Sequence, residues 1–560
     1  MAAGVASAQP RGRERRPYNR RAMTDQKPYY ITTPIYYVND RPHIGHCYTT
    51  IVADALARFQ RAAGRDVFFL TGTDEHGQKV EKSAAARGMS PKALADANAE
   101  HFRQALAFVG SSHDHFIRTT DADHERQVQA ALRRLIASGD VYLGTFEGWY
   151  DEGQEEYVTE NQAREKDYKG FNGLALVKAT EQNYYFRLKK YEEPLKRLFA
   201  ERPDFVRPEA RRNEVLGRLN SEEGLQDVPV SRTSFTWGIP VPGDAPGHVT
   251  YVWIDALFNY ATALGMFEEP GGAGGARAKY WPAQVHAIGK EILWFHAVIW
   301  PALLMALKLP LPECVYAHSF WIREGRKMSK TLGNFVDLAT IEAYCAAFGV
   351  DAYRWFMLTQ GPLGATDSDF SHAKFVEVYN ADLANGIGNA FSRVSNMIEK
   401  YFGGVVPEAG ASMGELRTKF DEAAVSSVLP AVDRFDLGGG LSAAMLLARQ
   451  VDVHVNDTSP FKLAKDPANM PRVGGILYDC AEALRIAAVL LTPAMPGKMG
   501  ELLTRLGQEA PDARGRYARP LGELCKWGAL RPGTRIVKGD ALFPRADPAA
   551  PAPTPAPKTE

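Results

Sequence analysis

Between residues 28 and 75 the spacing of apolar and polar positions changes character three times. Tyr30, Ile31 and Thr32 form a short aromatic and β-branched run that Thr33-Pro34 interrupts, which predicts a strand. Asn39-Asp40-Arg41-Pro42 predicts a turn. Pro42 suits a helix start, because its missing N–H would be unpaired there. From Ile44 the apolar positions include Ile51, Ala55, Leu56 and Phe59, the spacing of a helix that stops near Ala63-Gly64. Val67-Phe68-Phe69-Leu70 is a continuous apolar run of the kind found in buried parallel strands. The unit is strand, turn, helix, strand.

The alternation continues through residues 27–137 and predicts the first half of a doubly wound α/β sheet. In "FFLTGTDEHGQK", Asp74, Glu75 and His76 fall at the carboxyl end of a strand. Residues 138–231 change character: "EGWYDEGQEEYVTENQ" and "NYYFRL" are aromatic, acidic and strand-like, which suggests an insertion. Strand-and-helix character returns over 232–325. After "QGPLGATDSDF" the pattern turns helical, and 376–545 predicts an all-α bundle. No internal repeat at a fixed period is present.

His43 and His46 bracket Ile44-Gly45 where the first strand gives way to the first helix. The N–H groups of that helix start are expected to face the mouth of the sheet and attract phosphate, with imidazole donors beside them. Gly45 leaves room for a flat base against the backbone. On its own so short a motif equally fits two capping or core histidines. Further along, "GRKMSKTLGN" places Lys327 and Lys330 three apart in a glycine-bounded loop after the strand Val315 to Ala317. Flexible lysines there suit a pyrophosphate on which charge develops. Alone, they also fit a solvated basic turn.

Composition narrows the class. The chain has 560 residues, 45% hydrophobic and 24% charged, with Lys+Arg and Asp+Glu both 66. Such balance excludes a histone-like polycation but not a local basic groove for nucleic acid. The cysteines (Cys47, Cys314, Cys345, Cys480 and Cys525) are scattered and never form CxxC, which fits a reducing compartment and gives no thiolate metal knuckle. No apolar run is long enough to cross a membrane. The first 22 residues hold six arginines and one glutamate without an apolar core, so they do not form a secretory signal. Residues 1–26 fit a disordered extension or an over-extended start better than a transit peptide, with Met23 standing just before the first strand. The Pro/Ala-rich 546–560 reads as a flexible tail.

His43-Ile44-Gly45-His46 and Lys327-Met328-Ser329-Lys330-Thr331 resemble the HIGH and KMSKS signatures of class I aminoacyl-tRNA synthetases. "TTPIYYVNDRPHIGH", "GTDEHG", "YVWIDAL" and "IGKEI" are similar to one subfamily, the methionyl-tRNA synthetases, from about residue 27 to about 530. The resemblance implies activation of L-methionine with ATP and Mg²⁺ to methionyl-adenylate, followed by transfer to the 3′-terminal adenosine of tRNA(Met). It implies a Rossmann-like catalytic domain, a connective-peptide insertion at 138–231, the KMSKS loop and stem-contact region at 326–375, and an anticodon-binding bundle. His43, Gly45, His46, Glu291 and Lys330 are implied for ATP, with Lys327 assisting Lys330. Ile35, Tyr37, Trp253, Leu257, Tyr260 and His296 are implied to enclose the methionine side chain, Tyr37 and His296 offering the sulfur weak hydrogen bonds. Asp74 is implied to anchor the ammonium, with Arg232 as its partner. Asn389, Arg393 and Phe461 match positions that read the CAU anticodon, Phe461 standing where the family often has tryptophan.

Family members commonly carry zinc knuckles in the insertion, but 138–231 holds neither cysteine nor histidine. No structural zinc is therefore expected, since such sites prefer thiolate and imidazole. The leucyl, valyl and isoleucyl enzymes need a large editing insertion, and the cysteinyl enzyme a zinc–thiolate site. A small-molecule nucleotidylyltransferase would not need the bundle, and a non-catalytic tRNA-binding paralogue would not need intact lysines and histidines. One methylene in an apolar pocket is worth only ~1–3 kcal/mol, so homocysteine is expected to be a leaky competitor. A cytoplasmic monomer is expected.

Overall fold

The computed structural model describes residues 27–555, except 152–155, 159, 171–172, 223, 244, 269–272, 329–332, 411–415, 419 and 421–426. The arginine-rich extension and Lys330 lie outside the described residues.

The core is a parallel sheet. β1 (Pro28–Thr32) lies between β3 (Asp66–Asp74) and β12 (Val285–Gly289), in register Tyr30↔Phe68 on one side and Ile31↔Val285 on the other. β2 (Tyr36–Tyr37) pairs with the end of β3, and β4 (His115–Arg118) also pairs with β3. β13 (Val315–His318) follows β12. The chain thus runs outward from β1 through β3 to β4, then returns to the other side of β1 with β12. Side chains leaving the carboxyl ends of β1 and β12 face the crevice where the strand order reverses, the usual ligand site of such sheets. The helix Ile44–Ala62 has a buried stripe along nearly its whole length and packs on β3 and β12.

The insertion forms its own antiparallel sheet, β6 (Glu156–Val158), β5 (Val141–Asp151), β7 (Val177–Phe186) and β9 (Val228–Pro229), in that order. Part of the expected span belongs to the core sheet. Val206-Arg207, inside 138–231, forms β8 and extends the main sheet by pairing in parallel with Val315-Tyr316 of β13. The insertion therefore leaves the core and docks back onto it before ending.

The C-terminal region is a bundle of Asn389–Phe402, Leu437–Thr458, Met470–Leu491 and shorter helices. Leu383, Ile387, Phe391, Val394 and Ile398 are buried, as their spacing predicts. Helix stops at Leu524, however, so the end of the 376–545 region is not helical. The start of the proline-rich end is tied to the bundle. Asn380 donates to Ala546 O (3.0 Å) and accepts from Ala546 N (2.9 Å), and Tyr379 Oη donates to Pro544 O at 2.8 Å. Ile536, Leu542 and Phe543 are buried under this wrap. One hydrophobic core runs from Ile44 and Ile51 of the first helix through Trp355 to Leu484 and Phe543.

Candidate active site

His43 caps the helix Ile44–Ala62, and its Nδ1 accepts from Gly45 N–H at 3.1 Å. The Nδ1 of His46 accepts from His43 N–H at 3.2 Å. Each ring therefore carries its proton on Nε2, the only donor left to it. Burial lowers the His43 pKa to about 4. Burial and the neighbouring His43 push His46 well below the ordinary range. At neutral pH both are uncharged donors, 3.9 Å apart between ring centroids.

The helix start differs from the expected cradle of open N–H groups. Ile44 N–H donates to Val336 O at 3.1 Å, and Gly45 N–H to its own cap. The donors this end offers the cavity are thus the two Nε2–H groups rather than the first-turn backbone. The helix begins at Ile44 behind its His43 cap, so Pro42 precedes the cap instead of opening the helix.

A cavity of about 370 Å³ opens at the reversal point of the sheet. Its walls include Ile35 and Tyr37 after β1, His43, Gly45 and His46, Asp74 at the end of β3, and Glu291 after β12. Trp253, Leu257 and Tyr260 of the helix Val252–Thr262 and His296 close it. The residues expected to hold nucleotide and amino acid thus converge on one cavity, with two exceptions among the described residues. Arg232 lines a neighbouring cavity, its guanidinium 4.0 Å from the Tyr251 ring centroid and donating to Ser231 O at 3.0 Å. Lys327 ends β15 (Arg326–Lys327), the second strand of a hairpin with β14 (Trp321–Arg323), outside the cavity wall. Its charge still acts on the Glu291 carboxylate.

His296 departs from its expected role toward sulfur. Its Nδ1–H donates to Ile292 O at 2.9 Å, so Nε2 is an acceptor and takes the Tyr260 O–H at 2.7 Å. Burial lowers its pKa to about 4. Both ring nitrogens are committed within the protein, leaving a neutral aromatic wall. Trp253 stacks on Phe295 with centroids 4.2 Å apart and an interplanar angle of 13°. An unbranched thioether finds the polarisable surroundings it favours here, at ~0.3–1.5 kcal/mol per sulfur–aromatic contact. Gly289 leaves room for the Glu291 carboxylate, which a Cβ there would meet at 2.4 Å and displace.

The acidic run at the end of β3 divides by role. Asp74 lines the cavity. Glu75 turns inward and accepts from Thr73 Oγ1 (2.6 Å), Thr120 Oγ1 (2.6 Å) and both Arg118 Nε and Nη2 (2.7 and 2.8 Å). His76 Nδ1 pairs with Asp255 Oδ2 at 2.6 Å, and His124 Nε2 with Asp255 Oδ1 at 2.7 Å. That buried triplet ties the loop after β3 to the helix Val252–Thr262 that presents Trp253.

Among the cavity residues that sequence reasoning missed are two basic side chains. Lys79 stands at the start of the helix Gln78–Ala86, within "GTDEHGQK". His318 ends β13, with Nδ1–H donating to Ser319 O (2.8 Å) and Nε2 bonded to Thr49 Oγ1 (2.7 Å). Both positions were signalled, one by the motif and the other by a strand's carboxyl end.

In the bundle, Arg393 donates to Asp452 Oδ1 and Asn456 Oδ1, both at 2.8 Å, and Asn389 Nδ2 to Asp452 Oδ2 at 3.2 Å. Phe461 is 42% exposed, just past the helix that carries Asp452 and Asn456. The polar pair is therefore held by the adjoining helix, with a ring standing free nearby.

This parallel sheet with two uncharged histidines at its reversal point, joined to a helical bundle that shares its core, is the fold of a class I aminoacyl-tRNA synthetase. The family "tRNA synthetases class I (M)" matches residues 29–166 and 172–395. The methionine–tRNA ligase of Caldanaerobacter subterraneus is 44% identical over 93% of this chain and 79% of its own length. That of Rhizobium meliloti is 42% identical over 93% and 99%. The Mycobacterium tuberculosis methionyl-tRNA synthetase, solved in complex with methionyl-adenylate, superposes with a TM-score of 0.84 at 39% identity, covering 93% of this chain and all of that one. The chain belongs to the methionyl-tRNA synthetase family.

Proposed function

We propose that the cavity at the end of β1 joins L-methionine to ATP through the residues that line it. The carrying observation is that one enclosure holds the HIGH histidines, a buried carboxylate (Asp74) and an aromatic box of thioether size. Asp74 anchors the ammonium. Ile35, Tyr37, Trp253, Leu257, Tyr260 and His296 surround the side chain. Glu291 meets the ribose and Gly45 the base.

The methionine carboxylate is already a nucleophile and needs no general base. It attacks the α-phosphorus in line, an O–P bond forms, and the bond to the bridging oxygen breaks with its electron pair leaving on pyrophosphate. Mg²⁺ enters as part of the MgATP substrate. His43 and His46 donate through Nε2–H to phosphate oxygens, and Lys327 and Lys330 neutralise the departing charge. The 2′-OH of the tRNA terminal adenosine then attacks the adenylate carbonyl and AMP leaves. Asn389, Arg393 and Phe461 meet the CAU anticodon, whose unstacked bases suit amide, guanidinium and ring contacts. This reading places the enzyme in the cytoplasm as a monomer without structural zinc. The five free, buried cysteines suit a reducing compartment, and among the described residues no helix is long and apolar enough to cross a membrane.

ATP–pyrophosphate exchange with each of the twenty amino acids tests the reading. Strong exchange with methionine and weak exchange with homocysteine is expected; exchange driven by another amino acid overturns it. Metal analysis is expected to find zinc well below one equivalent, and stoichiometric zinc would overturn the zinc-free assignment.

A further inference from the structure

On the helix Val252–Thr262, Trp253, Leu257 and Tyr260 face the cavity, while Asp255 is fully buried away from it. Asp255 Oδ2 accepts from His76 Nδ1–H at 2.6 Å, and Oδ1 from His124 Nε2–H at 2.7 Å. Burial pushes the Asp255 carboxyl up, but His76 and His124 outweigh it and hold it below the ordinary range. It is therefore the anion that accepts from both rings. His124 also reaches Thr262 Oγ1 at 2.7 Å, which fixes the back of this helix to the helix Ala122–Ala137. The loop that carries His76 is held from its other side, where Trp237 Nε1–H donates to Glu75 O at 2.6 Å and Gly77 N–H to Trp237 O at 3.0 Å. His76 follows Asp74 by two residues, and Asp255 follows Trp253 by two.

We propose that the His76–Asp255 pair sets the span between the ammonium anchor Asp74 and the aromatic wall at Trp253, and so measures side-chain length in this cavity. The inference rests on reading the cavity as the methionine site. It adds two positioning residues, neither of which lines the cavity. An apolar pocket separates chains that differ by one methylene by only about 10–200-fold. Even that requires walls that neither close on a shorter chain nor yield to a longer one. The helix moves Trp253, Leu257 and Tyr260 together, and the loop after β3 moves Asp74. A charge-assisted hydrogen bond sealed from water joins the two pieces and resists both displacements.

His76→Asn, His76→Ala and His76→Leu test the proposal. ATP–pyrophosphate exchange with full-length enzyme is measured for methionine, for homocysteine (one methyl shorter) and for ethionine (one methylene longer). The asparagine amide puts an N–H where Nδ1 stands and keeps the bond to Asp255; alanine and leucine remove it. In the alanine and leucine variants, the kcat/KM ratios of methionine to homocysteine and of methionine to ethionine are both expected to fall about tenfold. Their KM for methionine is expected to rise while KM for ATP stays within about twofold of wild type. His76→Asn is expected to keep both ratios within about threefold. A ratio between two amino acids does not depend on how much of a preparation is folded, so lost stability alone cannot imitate this result. Wild-type ratios in the alanine and leucine variants overturn the proposal. So do ratios that fall equally in His76→Asn, because the hydrogen bond would then not be what counts. A KM for ATP that rises in step with that for methionine also overturns it, since the pair would then order the whole cavity rather than one span. Absence of methionine-dependent exchange in wild type would instead sink the functional reading itself.

Discussion

Asp54 and Arg354, far apart in the chain and both fully buried, meet through Oδ2 and Nη2 at 2.7 Å. Asp54 also accepts from Arg58 Nε at 2.8 Å and from the N–H and Oγ of Ser112 at 2.6 and 2.5 Å. Arg354 donates in addition to the Val109, Pro493 and Ala494 carbonyls. The helix that begins with HIGH is thus bolted at its middle, through Arg354, to the loop that follows the helix Met470–Leu491.

Asp54→Asn is expected to cost about 3–5 kcal/mol, because it leaves Arg354 buried and uncompensated. Burial pushes the Asp54 carboxyl upward, but Arg354 and Arg58 outweigh it and hold the pKa at about 2. A carboxyl depressed in the folded state stabilises fully above its ordinary value near 3.9 and loses that contribution as pH falls toward 2. The deficit of the variant in thermal melting should therefore be constant above pH 5 and shrink on acidification. A deficit that grows on acidification would refute the assignment.

Neutral HIGH histidines predict a flat pH dependence. With His43 near 4 and burial holding His46 well below the ordinary imidazole range, neither gains a proton between pH 6 and 8. The kcat/KM for ATP in exchange is expected to show no acid limb near 6.5. A limb there that disappears in His43→Asn or His46→Asn would mean that a charged imidazole binds the phosphates.

Asp479 points the other way. Burial, aided by Glu482, raises its pKa to about 7 inside the helix Met470–Leu491. The folded state favours the neutral acid, so stability is lost as pH rises from the ordinary carboxyl range through about 7. Asp479→Asn is expected to raise Tm, with a gain that grows from pH 5 to pH 7 and then levels off. A gain that shrinks with rising pH would show that the carboxylate is stabilised as an anion.

Arg393→Ala is expected to cost about 1–3 kcal/mol in kcat/KM for tRNA and nothing in ATP–pyrophosphate exchange. Phe461→Ala should behave likewise, and Phe461→Trp should be neutral or better. Wild-type enzyme that charges tRNA equally well after one anticodon base is changed would remove all three bundle residues from anticodon reading.

What the sequence made legible follows the reach of its patterns. β1, the first helix and β3 could be drawn because Val67–Leu70 is apolar throughout and Ile44–Phe59 keeps one period. β8 could not, since Val206-Arg207 is a strand only by virtue of Tyr316 beside it. Which residues share the cavity was legible through family motifs. The hydrogen-bond roles were not, because they are set by distant carbonyls such as Val336 O and by the Tyr260 hydroxyl. The first residue of the proline-rich end shows a related limit. The composition of that end suggests freedom, yet one amide, Asn380, satisfies both backbone groups of Ala546.

The apolar core that runs from Ile44 to Phe543 makes the chain a single cooperative unit. A calorimeter should record one endotherm rather than separate meltings of catalytic and tRNA-reading parts. Neither part, expressed by itself, would retain a complete interior: the catalytic piece would expose the flank of its first helix, and the bundle the side that receives it. Heritable variation at buried bundle positions, away from Asn389, Arg393 and Phe461, should therefore surface as reduced abundance of the whole enzyme rather than as altered decoding.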